Sequence, residues 1–440
     1  MGFIAVKFGG SSLADAAQIK KASAIIRSDP DRRYVVVSAP GKRDGSDIKV
    51  TDLLYQCHSL ASQGVDFSVP LEKIKGRFEE IVRGLRIDFD LESEFETIRE
   101  GLSTSPERDY CASRGEYLNG KIVAAYLGFD FVDSGEYVFF QENGRLDEER
   151  TFHTLGERLS SLSHAVIPGF YGAMPDGSIR TFSRGGSDVT GSIVARSTGA
   201  RLYENWTDVS GMLSADPRVV PSPKGIETIT YTELRELSYM GASVLHEDAI
   251  FPVRTAGIPI NIRNTNRPED PGTMIVPSLE GAPKKRKVTG IAGRKGFSAV
   301  IVEKSMMNAE VGFGARLLQI FAEHGVAFEH CPSGIDTLSV IVNTECFKAS
   351  EERILGDIRS ELNPDAMSVQ EGLSMIAVVG QGMVLSRGTA VRVFKALADA
   401  GINIRMIDQG PSELNIIVGV NEEDYERAVR AIYQEMEPLM

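Results

Sequence analysis

The sequence predicts an α/β protein with a mostly parallel sheet, followed by two small α+β modules of βαββ order. Three observations carry that expectation. Short apolar runs alternate with helical patterns over residues 1–282, as in strands joined by crossover helices. Downstream a βαββ pattern occurs twice, with Gly325-Val326 and Gly401-Ile402 in matching places after the helix, a repeat of about 75 residues. Between these regions a Pro/Gly-rich stretch ends in Pro283-Lys284-Lys285-Arg286-Lys287-Val288. Such a basic run looks like a nuclear-import tag, but a solvated linker explains it better, and it marks a domain boundary.

Phe3 to Phe8 reads as a buried strand, and from Ser12 onward Ala16, Ile19, Ala22 and Ile26 share one helical face. The junction Val6-Lys7-Phe8-Gly9-Gly10-Ser11-Ser12 is therefore a candidate phosphate cradle. Backbone amides and a helix N-terminus would face the anion, with the lysine as a point charge. An ordinary βα turn with a surface lysine matches these residues equally well. Arg33 to Ser38 is a second strand, followed by the loop Ala39 to Gly45. Leu71 to Leu102 is charge-rich and helical. Glu116 to Leu127 is a helix, so that Ser113-Arg114-Gly115-Glu116 sets a carboxylate at a helix start, where it suits the dipole. Ala165 to Phe170 and Arg201 to Trp206 are further strands. Ligands of such sheets sit at the carboxyl ends of the strands, where the first loop lies.

In the first repeat, Phe297 to Val302 is a strand, Gly314 to His324 a helix, and Val326 to His330 and Thr337 to Val342 are strands. In the second, Ser374 to Val379, Thr389 to Ala400, Ile402 to Ile407 and Glu413 to Val420 follow the same order, closed by a helix from Glu422. The predicted domains are 1–282, a linker and entry strand at 283–296, and modules at 297–370 and 371–440.

Composition excludes several classes. With 48 Lys+Arg against 61 Asp+Glu the net charge is −13, which disfavours nonspecific nucleic-acid binding. Cys57, Cys111, Cys331 and Cys346 show no CxxC spacing, consistent with reduced thiols in a cytosol. The sequence carries no apolar run long enough to span a membrane and opens directly on a strand. The expectation is a cytoplasmic protein with neither membrane nor nucleic-acid partners. Walker A, zinc-spacing, GxSxG and HExxH patterns are missing, no metal ligands are assigned, and none of the six histidines is given a role.

Two more clusters stand out. Phe182-Ser183-Arg184-Gly185-Gly186-Ser187-Asp188-Val189-Thr190-Gly191 leads into a helix at Ser192 to Ser197. Its glycines permit close backbone approach, and Arg184 and Asp188 offer opposite charges four residues apart. Glu204-Asn205-Trp206-Thr207-Asp208-Val209-Ser210-Gly211, followed by Asp216-Pro217-Arg218, holds the single tryptophan, for which core packing is the default.

Taken together, Lys7-Phe8-Gly9-Gly10-Ser11-Ser12, Ser113-Arg114-Gly115-Glu116, Arg184-Gly185-Gly186-Ser187-Asp188, and Trp206-Thr207-Asp208-Val209 with Asp216-Pro217-Arg218, resemble the aspartate kinases of the amino-acid kinase superfamily. The resemblance covers nearly the whole chain, and the C-terminal repeat resembles tandem ACT domains. It implies ATP with Mg²⁺ as cofactor and L-aspartate as substrate. The γ-phosphoryl would pass to the β-carboxylate, opening lysine, threonine and methionine biosynthesis. Lys7 would contact the transferring phosphate, with Gly9, Gly10 and Ser11 cradling it. Thr207 and Asp208 would line the adenine and ribose site, with Arg218 near the phosphates. Ser38 and Thr51 would meet the side-chain carboxylate, Glu116 and Asp188 the ammonium, and Arg184 the α-carboxylate.

Two positions depart from the family pattern. Ser243 stands where a lysine is usual, and Leu213 where an aromatic is often found near the nucleotide; Lys224 and Arg218 are candidate substitutes for the missing cation. In the first ACT-like module the resemblance implies effector contacts at Met307, Gly312, Phe313, Gly314, Glu329, Ser333, Gly334, Ile335 and Asp336. The acidic pair Glu329 and Asp336 favours lysine as inhibitor, with threonine a second possibility; capping of solvent loops is the alternative. ACT pairing implies a homodimer or higher homo-oligomer. The chain reads as monofunctional, since it ends at Met440. Two other readings stay open: a glutamate-type or N-acetylglutamate kinase, and a catalytically weak amino-acid sensor.

Overall fold

The apolar run at the N-terminus forms β1 (Ile4–Phe8), whose five residues are all buried. The computed structural model describes residues 2–104, 106–183, 185–242, 245, 247–279, 286–384 and 386–440. The chain divides into two compact units. The first comprises residues 1–212, 225–231 and 244–279, and the second 213–224, 232–243 and 280–440. Of the basic run, Pro283, Lys284 and Lys285 lie outside the described residues.

In the first unit β1 is followed by a one-turn 3-10 helix, Gly10–Leu13, and then by α1 (Ala16–Arg27), capped by the Asp15 carboxylate accepting from the Gln18 amide. Next come β2 (Arg32–Val37), α2 (Val50–Ser62), α3 (Ser68–Leu85), α4 (Leu91–Thr104) and α5 (Arg108–Leu127). The long helical stretch expected at 71–102 is thus two helices, broken where Arg86 takes a left-handed conformation. They are followed by β3 (Asp130–Phe131), β4 (Ala165–Pro168), α6 (Gly186–Ser197), β5 (Leu202–Thr207), β6 (Thr228–Thr230), β7 (Ile260–Asn264) and β8 (Thr273–Val276).

Among the described residues these strands form one sheet in the order β6-β8-β7-β5-β1-β2-β4-β3. Its pairs are parallel except β7 with β8. One face buries Ile4, Val6, Phe8, Val35, Val37 and Trp206 in a core shared with α1 to α5. Burial of such side chains is worth about 1.5–3 kcal/mol each. Because β1, β2, β4, β5 and β7 run the same way, their carboxyl ends gather at one edge. Gly9 donates to the Trp206 carbonyl (2.9 Å), Ser38 to Phe8 (3.2 Å), Gly169 to Val37 (2.9 Å) and Thr265 to Thr207 (2.9 Å).

In the second unit β9 (Gly290–Glu303) is followed by α7 (Phe313–Glu323), β10 (Phe328–His330) and β11 (Thr337–Asn343). Then β12 (Ala366–Val379) leads to α8 (Thr389–Asp399), β13 (Met406–Asp408), β14 (Asn415–Asn421) and α9 (Tyr425–Met436). The βαββ order occurs twice. The described strands form one antiparallel sheet, β10-β11-β9-β12-β14-β13, in which β9 and β12 pair along most of their length. Both long strands begin before the predicted Phe297 and Ser374 because Gly296 and Gly372, at positive φ, interrupt the apolar pattern without ending the ladder.

Candidate active site

The strand-end edge of the first unit assembles most of the predicted residues. Lys7, the fourth residue of β1, is only 7% exposed. Its ammonium lies 2.5 Å from the Asp188 carboxylate, on the first turn of α6, and 3.4 Å from the Asn205 amide oxygen on β5. Asp188 also accepts from the Asn205 amide nitrogen at 2.8 Å.

Gly9 and Gly10 turn the chain sharply after β1. A β-carbon on Gly10 would come 3.0 Å from the Ala39 carbonyl, and one on Gly41 would lie 2.5 Å from the Gly10 carbonyl carbon. The two loops therefore touch backbone to backbone, and Gly41 donates to the Gly10 carbonyl at 2.8 Å. The candidate cradle falls on the 3-10 turn at Gly10–Leu13, and the expected direct entry into α1 is corrected to a start at Ala16. Ser12 fixes the turn to the end of β7 through Thr265 (2.8 Å).

Glu116 overturns a second expectation. It sits in the third turn of α5, not at a helix start. The turns before it are buried on several sides, at Cys111, Ala112, Ser113, Arg114 and Gly115, so they lack the one-face periodicity that marks a helix. Glu116 is itself buried, the Ala39 amide donates to it, and burial pushes its carboxyl up to about 8. Its Oε2 has no hydrogen-bond partner, an exception to the rule that buried polar atoms are paired. One turn later, Asn119 donates to the Ser38 carbonyl at 2.7 Å and so positions that residue. Thr51 occupies the first turn of α2, at the far end of the loop that begins after Ser38.

That loop is held by Arg77 of α3, whose guanidinium donates to the carbonyls of Ile48 (2.9 Å), Gly41 (2.7 Å) and Ala14 (3.2 Å). Asp47 accepts from the backbone and side chain of Arg43, which hold its carboxyl well below the usual range.

On the opposite side, Phe170 carries φ +81° although it is not glycine, a strained conformation of the kind that clusters at functional sites. Its amide donates to the Thr190 hydroxyl (3.0 Å), and a β-carbon on Gly186 would collide with its ring. Arg184 lies outside the described residues, as does Ser243.

Thr207 ends β5 and donates to Asp208, which is exposed. Trp206 is core: its indole stacks on Phe8 and donates to Glu204 at 2.9 Å, and Glu204 is held by Arg32. Arg218 belongs to the second unit and pairs with Asp216 at 2.7 Å. There too, Lys224 donates to the Glu437 carbonyl (2.9 Å), so both candidate substitute cations have partners. Leu213 is 41% exposed.

Of the effector candidates, Met307 and Phe313 are buried and Gly312 caps α7 at φ +84°. Ser333, Gly334, Ile335 and Asp336 form an exposed loop, and the Asp336 carboxylate accepts from the Met306 amide at 2.9 Å. Glu329 lies on β10 and accepts from the Tyr239 hydroxyl. Sequence reasoning passed over Asn205, Asn119 and Phe170. Asn205 had one signal, a carboxamide in the middle of a predicted strand.

Residues 2–264 match the amino acid kinase family and residues 376–436 an ACT domain. Aspartokinase 3 of Bacillus subtilis is 41% identical over 98% of each chain. The chloroplastic aspartokinase 1 of Arabidopsis thaliana is 29% identical over 98% of this chain and 79% of its own. Among solved structures, the aspartate kinase of Clostridium acetobutylicum, described as an allosteric enzyme, superposes with a TM-score of 0.90 at 47% identity, over 99% of this chain and 100% of that one. Aspartokinase III of Escherichia coli, solved with aspartate and ADP, shares the fold with a TM-score of 0.76 at 24% identity over 98% and 99%. Among the described residues no helix is long and apolar enough to cross a membrane. The glycine turn after β1 and the Lys7–Asp188 ion pair are thus set in a scaffold shared from end to end with these kinases, and the chain belongs to the aspartokinases of the amino acid kinase family.

Proposed function

We propose that the chain transfers the γ-phosphoryl of ATP to the β-carboxylate of L-aspartate, giving 4-phospho-L-aspartate. The observation that carries this is the unpartnered Oε2 of buried Glu116. A buried carboxylate with an unused acceptor suits a substrate ammonium, and Asp188 offers a second carboxylate. An N-acylated acceptor would leave that demand unmet.

The acceptor carboxylate is ionised near neutral pH, since its ordinary pKa is about 4. The reaction therefore needs no general base, and the protein's work is alignment and neutralisation of charge. Lys7 would exchange its contact with Asp188 for one with the transferring phosphoryl. The amides of Gly9, Gly10 and Ser11 would donate to phosphate oxygens, an arrangement worth more in a water-poor site than in bulk. Ser38 and Thr51, at the two ends of the Arg77-held loop, would receive the β-carboxylate, and Arg184 the α-carboxylate. Thr207 and Asp208 would take the nucleoside, with Arg218 toward the phosphates. Mg²⁺ would arrive on the nucleotide phosphates and offset their charge.

The same reading assigns residues 1–282 to catalysis and, beyond a linker at 283–296, residues 297–370 and 371–440 to two regulatory modules. Lysine would bind the first module at Met307, the Gly312 to Gly314 turn, Glu329 and the Ser333 to Asp336 loop, in a cytoplasmic homo-oligomer. Inhibition then requires that lysine bind one of two conformational states better than the other. The test is ATP-dependent acyl-phosphate formation trapped with hydroxylamine, using L-aspartate, L-glutamate and N-acetyl-L-glutamate in parallel. Hydroxamate from aspartate alone, reduced by lysine, is the expected result; hydroxamate from glutamate alone would reassign the substrate.

A further inference from the structure

Asn205 lies on β5, between β1 and β7 in the sheet. The register sets it directly beside Lys7 on β1 and Ile262 on β7. Central strands of a parallel sheet are covered on both faces and normally carry apolar side chains there. A carboxamide in this place must find partners for both its oxygen and its nitrogen. Asn205, 3% exposed, does so with two opposite charges: its oxygen accepts from the Lys7 ammonium at 3.4 Å, and its nitrogen donates to the Asp188 carboxylate at 2.8 Å. The amide orientation is dictated by chemistry, because the reverse would set N–H against an ammonium and C=O against a carboxylate.

The backbone around it is equally constrained. Tyr203, on the same face of β5, donates its hydroxyl to the Asp188 carbonyl at 3.2 Å, and Gly191 of α6 lies against the Tyr203 ring. The first turn of α6 is thereby docked over β5, with Asp188, Lys7 and Asn205 closing a three-membered ring of contacts.

We propose that Asn205 is a positioning residue for phosphoryl transfer. It keeps Lys7 and Asp188 in register and gives each charge a standing hydrogen bond when substrates part the ion pair. The inference rests on the transfer role proposed for Lys7 and Asp188. Neither an aspartate nor a leucine at this place meets the same demand: an ionised carboxylate cannot donate to Asp188, and an alkyl group can neither accept nor donate.

The test compares the full-length wild type with Asn205→Ala and Asn205→Asp, by hydroxamate kinetics from pH 5 to 9. Asn205→Ala should lower kcat by about 10- to 100-fold, with the KM values for ATP and aspartate changed less than threefold. Asn205→Asp sets two carboxylates side by side, so that one takes up a proton more readily. Once protonated, the introduced carboxyl is a donor again, and this variant's kcat should rise relative to wild type as pH falls below about 6. A purely structural role would not produce that relative acid rise. A kcat for Asn205→Ala within twofold of wild type, or an Asn205→Asp profile parallel to wild type, overturns the inference. Wild-type protein inactive with aspartate overturns the underlying reading and this inference with it, whereas an active wild type with unaffected variants overturns this inference alone.

Discussion

The Tyr239 hydroxyl donates to the Glu329 carboxylate, joining the end of the helix Tyr231–Tyr239 to the edge strand β10 within the second unit. Burial and the bond to Glu329 push the phenol up to about 12, so it stays a donor through the physiological range. An amine-bearing effector that takes the same Glu329 oxygen would compete with this phenol. Tyr239→Phe removes the competitor, and the lysine concentration giving half-inhibition should fall about fivefold, near the ~1 kcal/mol of a typical hydrogen bond. Inhibition curves of the two proteins, run side by side, check this; an unchanged or raised midpoint contradicts it.

Glu116 gives a proton-release prediction. With its carboxyl near 8 it is mostly protonated at pH 7 in the free protein. A substrate ammonium beside it favours the ionised form. Aspartate binding at pH 7 should therefore release close to one proton, and at pH 9, where Glu116 is already mostly ionised, nearly none. Calorimetry in buffers of different ionisation enthalpy measures the number directly.

The same group makes stability depend on pH. Its folded value, about 8, stands above its ordinary 4.5, so the folded state binds more protons between those limits. Its favourable contribution is complete below about pH 4.5 and is lost as pH rises through 8. Glu116→Gln should abolish this loss, gaining on the native protein from pH 5 to pH 8 by up to roughly 3–5 kcal/mol. Urea midpoints at the two pH values report it, and parallel midpoints would contradict it.

Arg77 holds three carbonyls and lies 3.4 Å from Asp47. Arg77→Met leaves these groups without their donor and should lower stability by about 2–4 kcal/mol. Because the freed loop connects Ser38 to Thr51, KM for aspartate should rise more than KM for ATP. Thermal unfolding and steady-state kinetics test the two parts separately.

Gly41→Ala probes the backbone contact of the two loops. The added methyl would meet the Gly10 carbonyl carbon at 2.5 Å and the Ser11 nitrogen at 2.8 Å, both main-chain atoms. The loops must part, at about 1–3 kcal/mol, and the cradle with them. Weakened ATP affinity is expected in equilibrium binding, and wild-type affinity would show that the contact is dispensable.

The strands around the site were legible because β1, β2 and β4 carry apolar runs with a clear change of pattern after them. Lys7, Gly9, Gly10 and Asp188 were legible as motifs, and the structure brings them to one edge. The start of α5 was not, because burial on several faces erases amphipathic periodicity and Ser113 and Gly115 are weak helix formers. Nor were the full lengths of β9 and β12, where glycines at positive φ look like strand ends. Asn205, Asn119 and Arg77 act on residues far away in the chain, at 198 positions for Asn205 with Lys7. Only the strand register and helix docking make such partners neighbours.

The central claim is that the buried Lys7, paired with Asp188, is the charge that stabilises phosphoryl transfer. The most direct measurement is kcat for hydroxylamine-trapped acyl phosphate from ATP and L-aspartate, comparing wild type with Lys7→Met and with circular dichroism confirming that both are folded. The account predicts a loss of about a thousandfold, the scale of removing a preorganised electrostatic contact. A folded Lys7→Met protein turning over within tenfold of wild type would contradict it.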